Sequence, residues 1–204
     1  NYTNGDYTIN IVVPSNQTSF AFYGNVGGSS FSIDNVSVQE IQTDTPRIDF
    51  TNDTKGHLLL EPQSTNLITY SEDFSEWSLG ANATLTFVSD IEAPDGSLGV
   101  YRLQLPATND TFIASNSFTG QNPLALSIYA KSVNTNNNFN LYNGSASSPI
   151  KTATDKWQRF DYIGNGNQFY IVNSGDTFVT DIYIWGAQAE SLSFPTSYIP
   201  TSGS

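Results

Sequence analysis

An all-β chain is what the sequence predicts, on three observations. Helical periodicity is nearly absent over the 204 residues. Short stretches of apolar and polar alternation recur roughly every ten residues, bounded by Gly, Asn, Pro and Asp. The chain carries 11 Tyr and 13 Phe, side chains that pack well on a half-buried pleated surface. With 38% hydrophobic residues it can build a core despite its Asn, Ser and Thr content, which argues against disorder.

The first strands are expected at Tyr7 to Val13, Ser19 to Tyr23 and Phe31 to Gln39, opened by the turn Asn4-Gly5-Asp6. A weak repeat relates Asp6-Tyr7-Thr8-Ile9 to Arg159-Phe160-Asp161-Tyr162, and the two copies close near Glu40 and Glu190. Three strands rarely stand alone, so residues 1–41 read as the last strands of a preceding β module. Residues 42–65 read as a connector. Arg47-Ile48-Asp49-Phe50 and Leu58-Leu59-Leu60 flank the polar Asn52-Asp53-Thr54-Lys55-Gly56, the pattern of a hairpin. A complete module follows over 66–204. Its strands are expected at Ala83 to Val88, Val100 to Leu105, Thr111 to Phe118, Leu124 to Lys131, Phe139 to Tyr142, Trp157 to Ile163, Gln168 to Val172 and Val179 to Trp185. Turns fall at Pro94-Asp95-Gly96, Asn143-Gly144, Gly164-Asn165-Gly166 and Ser174-Gly175-Asp176, where residues tolerant of positive φ cluster.

Composition excludes several functions. Seven Lys and Arg against 19 Asp and Glu give a net charge of −12, which opposes a phosphate backbone and makes nucleic acid an unexpected partner. The absence of Cys removes disulfides, thiolate metal sites and cysteine nucleophiles, and a lone His57 removes multi-histidine metal sites. Runs such as Leu58-Leu59-Leu60 are too short to enter a bilayer as a spanning segment. No Met stands at position 1, so the chain is expected to be a mature product or an excised piece of a longer extracellular or virion protein.

Two passages carry a resemblance. Thr45-Pro46-Arg47-Ile48-Asp49-Phe50, then Leu58-Leu59-Leu60-Glu61-Pro62-Gln63-Ser64-Thr65-Asn66-Leu67, Tyr70-Ser71-Glu72-Asp73-Phe74 and Trp77, resembles a segment recurrent in tail-fibre, tailspike and head-spike proteins of bacteriophages. Ile184-Trp185-Gly186-Ala187-Gln188-Ala189-Glu190 and Pro195-Thr196-Ser197-Tyr198-Ile199-Pro200-Thr201-Ser202-Gly203 look like the closing segment of the same modules. The fold this resemblance implies is an antiparallel β-sandwich, a jelly roll similar to carbohydrate-binding modules that secreted polysaccharide-active bacterial proteins also carry. The function it implies is attachment to a glycan surface.

Sugar rings are held by flat aromatic faces and planar polar groups. Strand parity gathers such residues on one face: Arg102 and Gln104, Tyr129 and Lys131, Trp157 and Arg159, Tyr183 and Trp185. Three of the seven basic residues fall there, and the guanidinium fork suits carboxylate or sulfate, so an acidic or sulfated polysaccharide is the favoured ligand class. The bland alternative is that the tryptophans, Trp185 above all, are sandwich core. Related jelly rolls often hold a structural Ca²⁺, for which Asp73 and Asp181 are the candidates by position. Catalysis lacks a motif, since His57 lies beside a Gly in the expected hairpin and away from any nucleophile elbow. A non-catalytic polysaccharide-binding module at a cell or virion exterior is therefore expected. Two alternatives stay open: a structural or oligomerisation domain of a phage fibre, trimeric in that case, and a small polysaccharide lyase or glycoside hydrolase.

Overall fold

The computed structural model describes residues 61–108, 111–135, 137–173 and 178–203, with the backbone of 47–49 and 57–59. The chain divides into two units, Asn1–Thr45 and Pro46–Ser204, and every described residue belongs to the second. The three strands expected before residue 41, and the turn at Ser174-Gly175-Asp176, lie outside the described residues.

Strands β1 (Arg47–Asp49) and β2 (His57–Leu59) pair antiparallel, Arg47 opposite Leu59 and Asp49 opposite His57, which is the pairing of a hairpin. A single 3-10 turn, Phe74–Glu76, precedes the remaining strands. In chain order these are β3 (Ser78–Leu79), β4 (Thr84–Glu92), β5 (Leu98–Leu105), β6 (Phe112–Ala114), β7 (Gln121–Ser132), β8 (Asn137–Tyr142), β9 (Lys151–Ala153), β10 (Gln158–Gly166), β11 (Tyr170–Val172) and β12 (Thr180–Glu190). They form two five-stranded antiparallel sheets, β10-β7-β12-β5-β4 and β3-β6-β11-β8-β9. From β5 onward the chain crosses repeatedly between the sheets, as in a jelly roll.

Each of the eight strands expected in the second module is present. β3 and β9 add two short edge strands.

Alternation explains the core. Leu103 and Leu105 of β5, Leu124, Leu126 and Ile128 of β7, and Ile182 and Ile184 of β12 are fully buried on the inner face of the first sheet. They meet Ile113, Phe139, Leu141 and Ile171 of the second sheet in one cluster, closed at one end by Phe74, Trp77 and Phe169. Truncating any of these leucines or isoleucines to Ala should cost about 2–5 kcal/mol.

One side-chain hub stitches the chain's distant segments together. Asn66 Nδ2 donates to the carbonyls of Ala187 (3.0 Å) and Ile199 (2.9 Å), while its Oδ1 accepts from the amide of Ala189 (3.1 Å). Ser71 Oγ shares a hydrogen bond with Tyr198 Oη (2.7 Å) and accepts from Thr201 N (2.8 Å). The passages around Asn66, β12 and the residues after Pro195 thus form a single seam, and their side chains are spent on backbone groups that no ladder satisfies.

Candidate ligand-binding face

The register of the first sheet decides which side chains can gather. Tyr183 lies opposite both Lys131 and Arg102. Trp185 lies opposite Tyr129, and Tyr129 opposite Arg159. Gln158 faces Ala130, so alternation brings the preceding Trp157 level with Lys131. Gln104 sits beside Asp181 at the end of the same face. All eight residues selected by parity therefore share the outer face of one sheet: Trp157, Lys131, Tyr183 and Arg102 in one row, Arg159, Tyr129 and Trp185 in the next, and Gln104 beyond the first.

Their surroundings differ. The end of β4 and the turn after it fold over the first row and make a cleft of about 590 Å³ lined by Asp90, Ile91, Glu92, Pro94, Tyr129, Lys131 and Trp157. That turn is shaped locally: Asp95 Oδ1 accepts from the amide and hydroxyl of Ser97 at 2.9 and 2.6 Å, and Gly96 takes φ +86°. Trp157 Nε1 donates to the carbonyl of Glu92 at 2.8 Å, which fixes the indole in the cleft wall. Lys131 makes no ion pair among the described residues.

The second row is covered except at Tyr129, which borders the cleft. Trp185 is only 5% exposed. Tyr198 packs on it with ring centroids 4.7 Å apart, and Tyr129 meets it edge-on at 5.6 Å. Trp185 forms a small second core with Val100 and Ala93 on the outer face, so it is buried but outside the sandwich core. Arg159 is likewise committed. Its guanidinium donates to Thr196 O (2.7 Å) and Ser127 Oγ (2.8 Å) and lies 5.6 Å from the centroid of Tyr129. Glu190 is fully buried beneath the same segment, accepting from Thr196 N (2.9 Å) and Gln188 Nε2 (2.6 Å).

Arg102 is bound as well. Its Nε and Nη2 donate to the two carboxylate oxygens of Asp181 at 2.8 and 2.7 Å, and these bonds hold the guanidinium pKa above its ordinary value. The cationic character expected from Arg102, Lys131 and Arg159 together is thus concentrated at Lys131. Asp181 spends its carboxylate on Arg102. Asp73 caps the 3-10 turn, with Oδ1 accepting from Ser75 N (3.1 Å), Ser75 Oγ (2.5 Å) and Tyr101 Oη (2.7 Å). These bonds, the Ser75 hydroxyl first, hold the Asp73 carboxyl below the usual carboxylate range. Tyr101 has inward parity and Asp181 outward parity, so the two acids considered for calcium lie on different sides of the sheet. Among the described residues no group of three His, Asp or Glu could hold a metal ion.

Sequence reasoning missed the wall of the cleft. The expected strand stops at Val88 and the expected turn begins at Pro94, so Asp90 to Ala93 belong to neither, and which face they fold onto is set by packing between segments far apart in sequence.

No family model and no curated protein matches the sequence. Solved structures do match the fold. The CBM22-1 and GH10 modules of a Clostridium thermocellum endo-1,4-β-D-xylanase align over 70% of this chain at 13% identity, with a TM-score of 0.47. The likeness is one of fold. The CBM22-1 xylan-binding domain of Paenibacillus barcinonensis Xyn10C aligns over 66% of this chain and its own whole length, at 12% identity and a TM-score of 0.44. A tailspike protein of bacteriophage CBA120 aligns over 58% of this chain and 20% of its own length, at 14% identity and a TM-score of 0.34. The chain spans 30% of the length of the xylanase it matches.

Proposed function

We propose that this chain is a non-catalytic polysaccharide-binding module that attaches a larger extracellular or virion protein to a glycan surface. The observation that carries the reading is the cleft of about 590 Å³ in which Trp157, Tyr129 and Lys131, three residues selected from the sequence for sugar contact, come together. Trp157 is held by its bond to Glu92 O, so stacking a sugar on it costs little side-chain entropy. Tyr129 supplies a second aromatic surface. Asp90 and Glu92 supply acceptors for hydroxyls, and Lys131 is the natural contact for a carboxylate or sulfate on an acidic chain.

Affinity electrophoresis in gels containing a uronate-bearing, a sulfated and a neutral polysaccharide tests this. Trp157→Ala should weaken retardation by roughly tenfold in apparent affinity for whichever polymer binds. Lys131→Ala should weaken only the acidic polymers. Equal retardation of wild type and Trp157→Ala, both folded, would remove the cleft from consideration.

A further inference from the structure

A second cleft, of about 620 Å³, opens where the turn between β4 and β5 meets the C-terminal segment. Its wall is built around Gly99, whose φ of +112° suits a residue without a side chain. Phe87, the cross-strand partner of Tyr101, lays its ring over that glycine, and a Cβ at Gly99 would stand 2.7 Å from Phe87 Cζ. Tyr101 meets the same ring edge-on, with centroids 5.3 Å apart. Phe87 is thus supported by protein on two sides, yet it remains 58% exposed, and the neighbouring Leu98 is 71% exposed. An aromatic ring backed by a glycine and edged by a tyrosine is a fixed flat surface, and its hydrophobic cost is recovered only when something covers it.

The polar side of the cleft is oriented too. Asp73 Oδ1 is occupied by Ser75 and Tyr101, and Glu72 Oε1 accepts from Tyr198 Oη at 2.9 Å. These bonds anchor one oxygen of each carboxylate beside the aromatic surface. Among the described residues the lining holds no Lys or Arg. An open aromatic face flanked by two fixed acceptors, without a cation, complements a ring with apolar C–H groups on its face and hydroxyl donors at its rim. A uronate or sulfated ring would meet like charge there.

We propose that this end cleft is a second carbohydrate site, specific for a neutral sugar residue stacked on Phe87 with its hydroxyls donated to Glu72 and Asp73. The ligand class shares the polysaccharide-binding reading above, but the residues are separate.

The test is a two-dimensional NMR titration of the full chain with xylohexaose, cellohexaose, β-1,3-galactotriose and an acidic uronate oligosaccharide, repeated on Phe87→Ala, Phe87→Trp and Trp157→Ala. The expected result is saturable shifts at Leu98, Gly99 and Tyr101 for at least one neutral oligosaccharide. Phe87→Ala should weaken that titration roughly tenfold, Phe87→Trp should restore it, and Trp157→Ala should leave it unchanged. Trp157→Ala reports on the first cleft in the same samples, so the two readings fail separately. Saturation without shifts at the end cleft, unchanged affinity in a folded Phe87→Ala, or shifts equally large with an acidic oligosaccharide would each overturn the proposal.

Discussion

Trp157 and Trp185 show how far a side chain's role can be read from its neighbours in sequence. Both occupy outward positions of the same sheet, and alternation places them correctly. Alternation does not report what lies above the sheet. Trp185 is covered by Tyr198, 13 residues further on, and Trp157 is bonded to the carbonyl of Glu92, 65 residues earlier. The consequence is a split between stability and binding. Trp185→Ala should cost about 3–5 kcal/mol of unfolding free energy, as for a buried aromatic, because it leaves Tyr198 and Tyr129 facing a void. Trp157→Ala, at a half-buried site, should cost markedly less while carrying the loss of ligand affinity. Urea unfolding of the two variants checks this, and equal destabilisation would contradict the division. Arg102 and Arg159 teach the same lesson for charge: sequence locates both guanidiniums on the face, but only the fold shows that Asp181 and Thr196 already hold them.

Among the elements, β12 departs most from what its sequence suggests. A strand pattern that meets Gly186 reads as ending, and the expected strand stops at Trp185. It continues to Glu190 because the glycine forms a bulge. The ladder passes from Trp185 opposite Tyr129 to Gln188 opposite Ser127, one residue more on β12 than on β7. Gly186 adopts φ +63° at that point. The extra residue reverses parity, so Ala187 and Ala189 turn into the core while Gln188 and Glu190 turn outward beneath the Thr196 segment. Without it the buried polar pair would point into the sandwich. Gly186→Ala should therefore be costly twice over, through the left-handed backbone and through a Cβ 3.2 Å from the Tyr198 ring. A loss of about 1–2 kcal/mol is expected from the backbone alone. Thermal unfolding measures it, and a neutral substitution would show that the bulge does not need glycine. The edge strands β3 and β9, two and three residues long, escaped the sequence for a simpler reason, since so few residues establish no alternation. The long strands β5, β7 and β10 were legible because most of their inward side chains, such as Leu103, Leu105, Leu124, Leu126, Ile128, Phe160 and Tyr162, are apolar or aromatic.

At the scale of the molecule, the two passages that carry the sequence resemblance prove to be one structural seam. Asn66 and Ser71 from the first bind Ala187, Ile199, Tyr198 and Thr201 from the second, so segments more than 120 residues apart are held together by side-chain bonds. Tyr198 is the seam's titratable member. Burial pushes its phenol well above the ordinary tyrosine value, and the nearby Glu72 carboxylate adds to the shift, against the lowering effect of the Ser71 hydrogen bond. Below pH 10 the phenol is neutral in both folded and unfolded chains, and its contribution to stability is fully present. Above that, the unfolded chain releases this proton while the folded chain retains it, so stability falls as pH rises, until the folded value is reached. Tyr198→Phe should lower stability at neutral pH by about 1 kcal/mol, through its lost hydrogen bonds to Ser71 and Glu72. The same variant should lose stability less steeply between about pH 10 and 12 than wild type, because one fewer proton is released on unfolding. The two curves should converge in that range. Denaturant unfolding at half-unit pH steps provides the comparison, and parallel curves would show that the seam opens before Tyr198 titrates, leaving its phenol exposed in the state that unfolds.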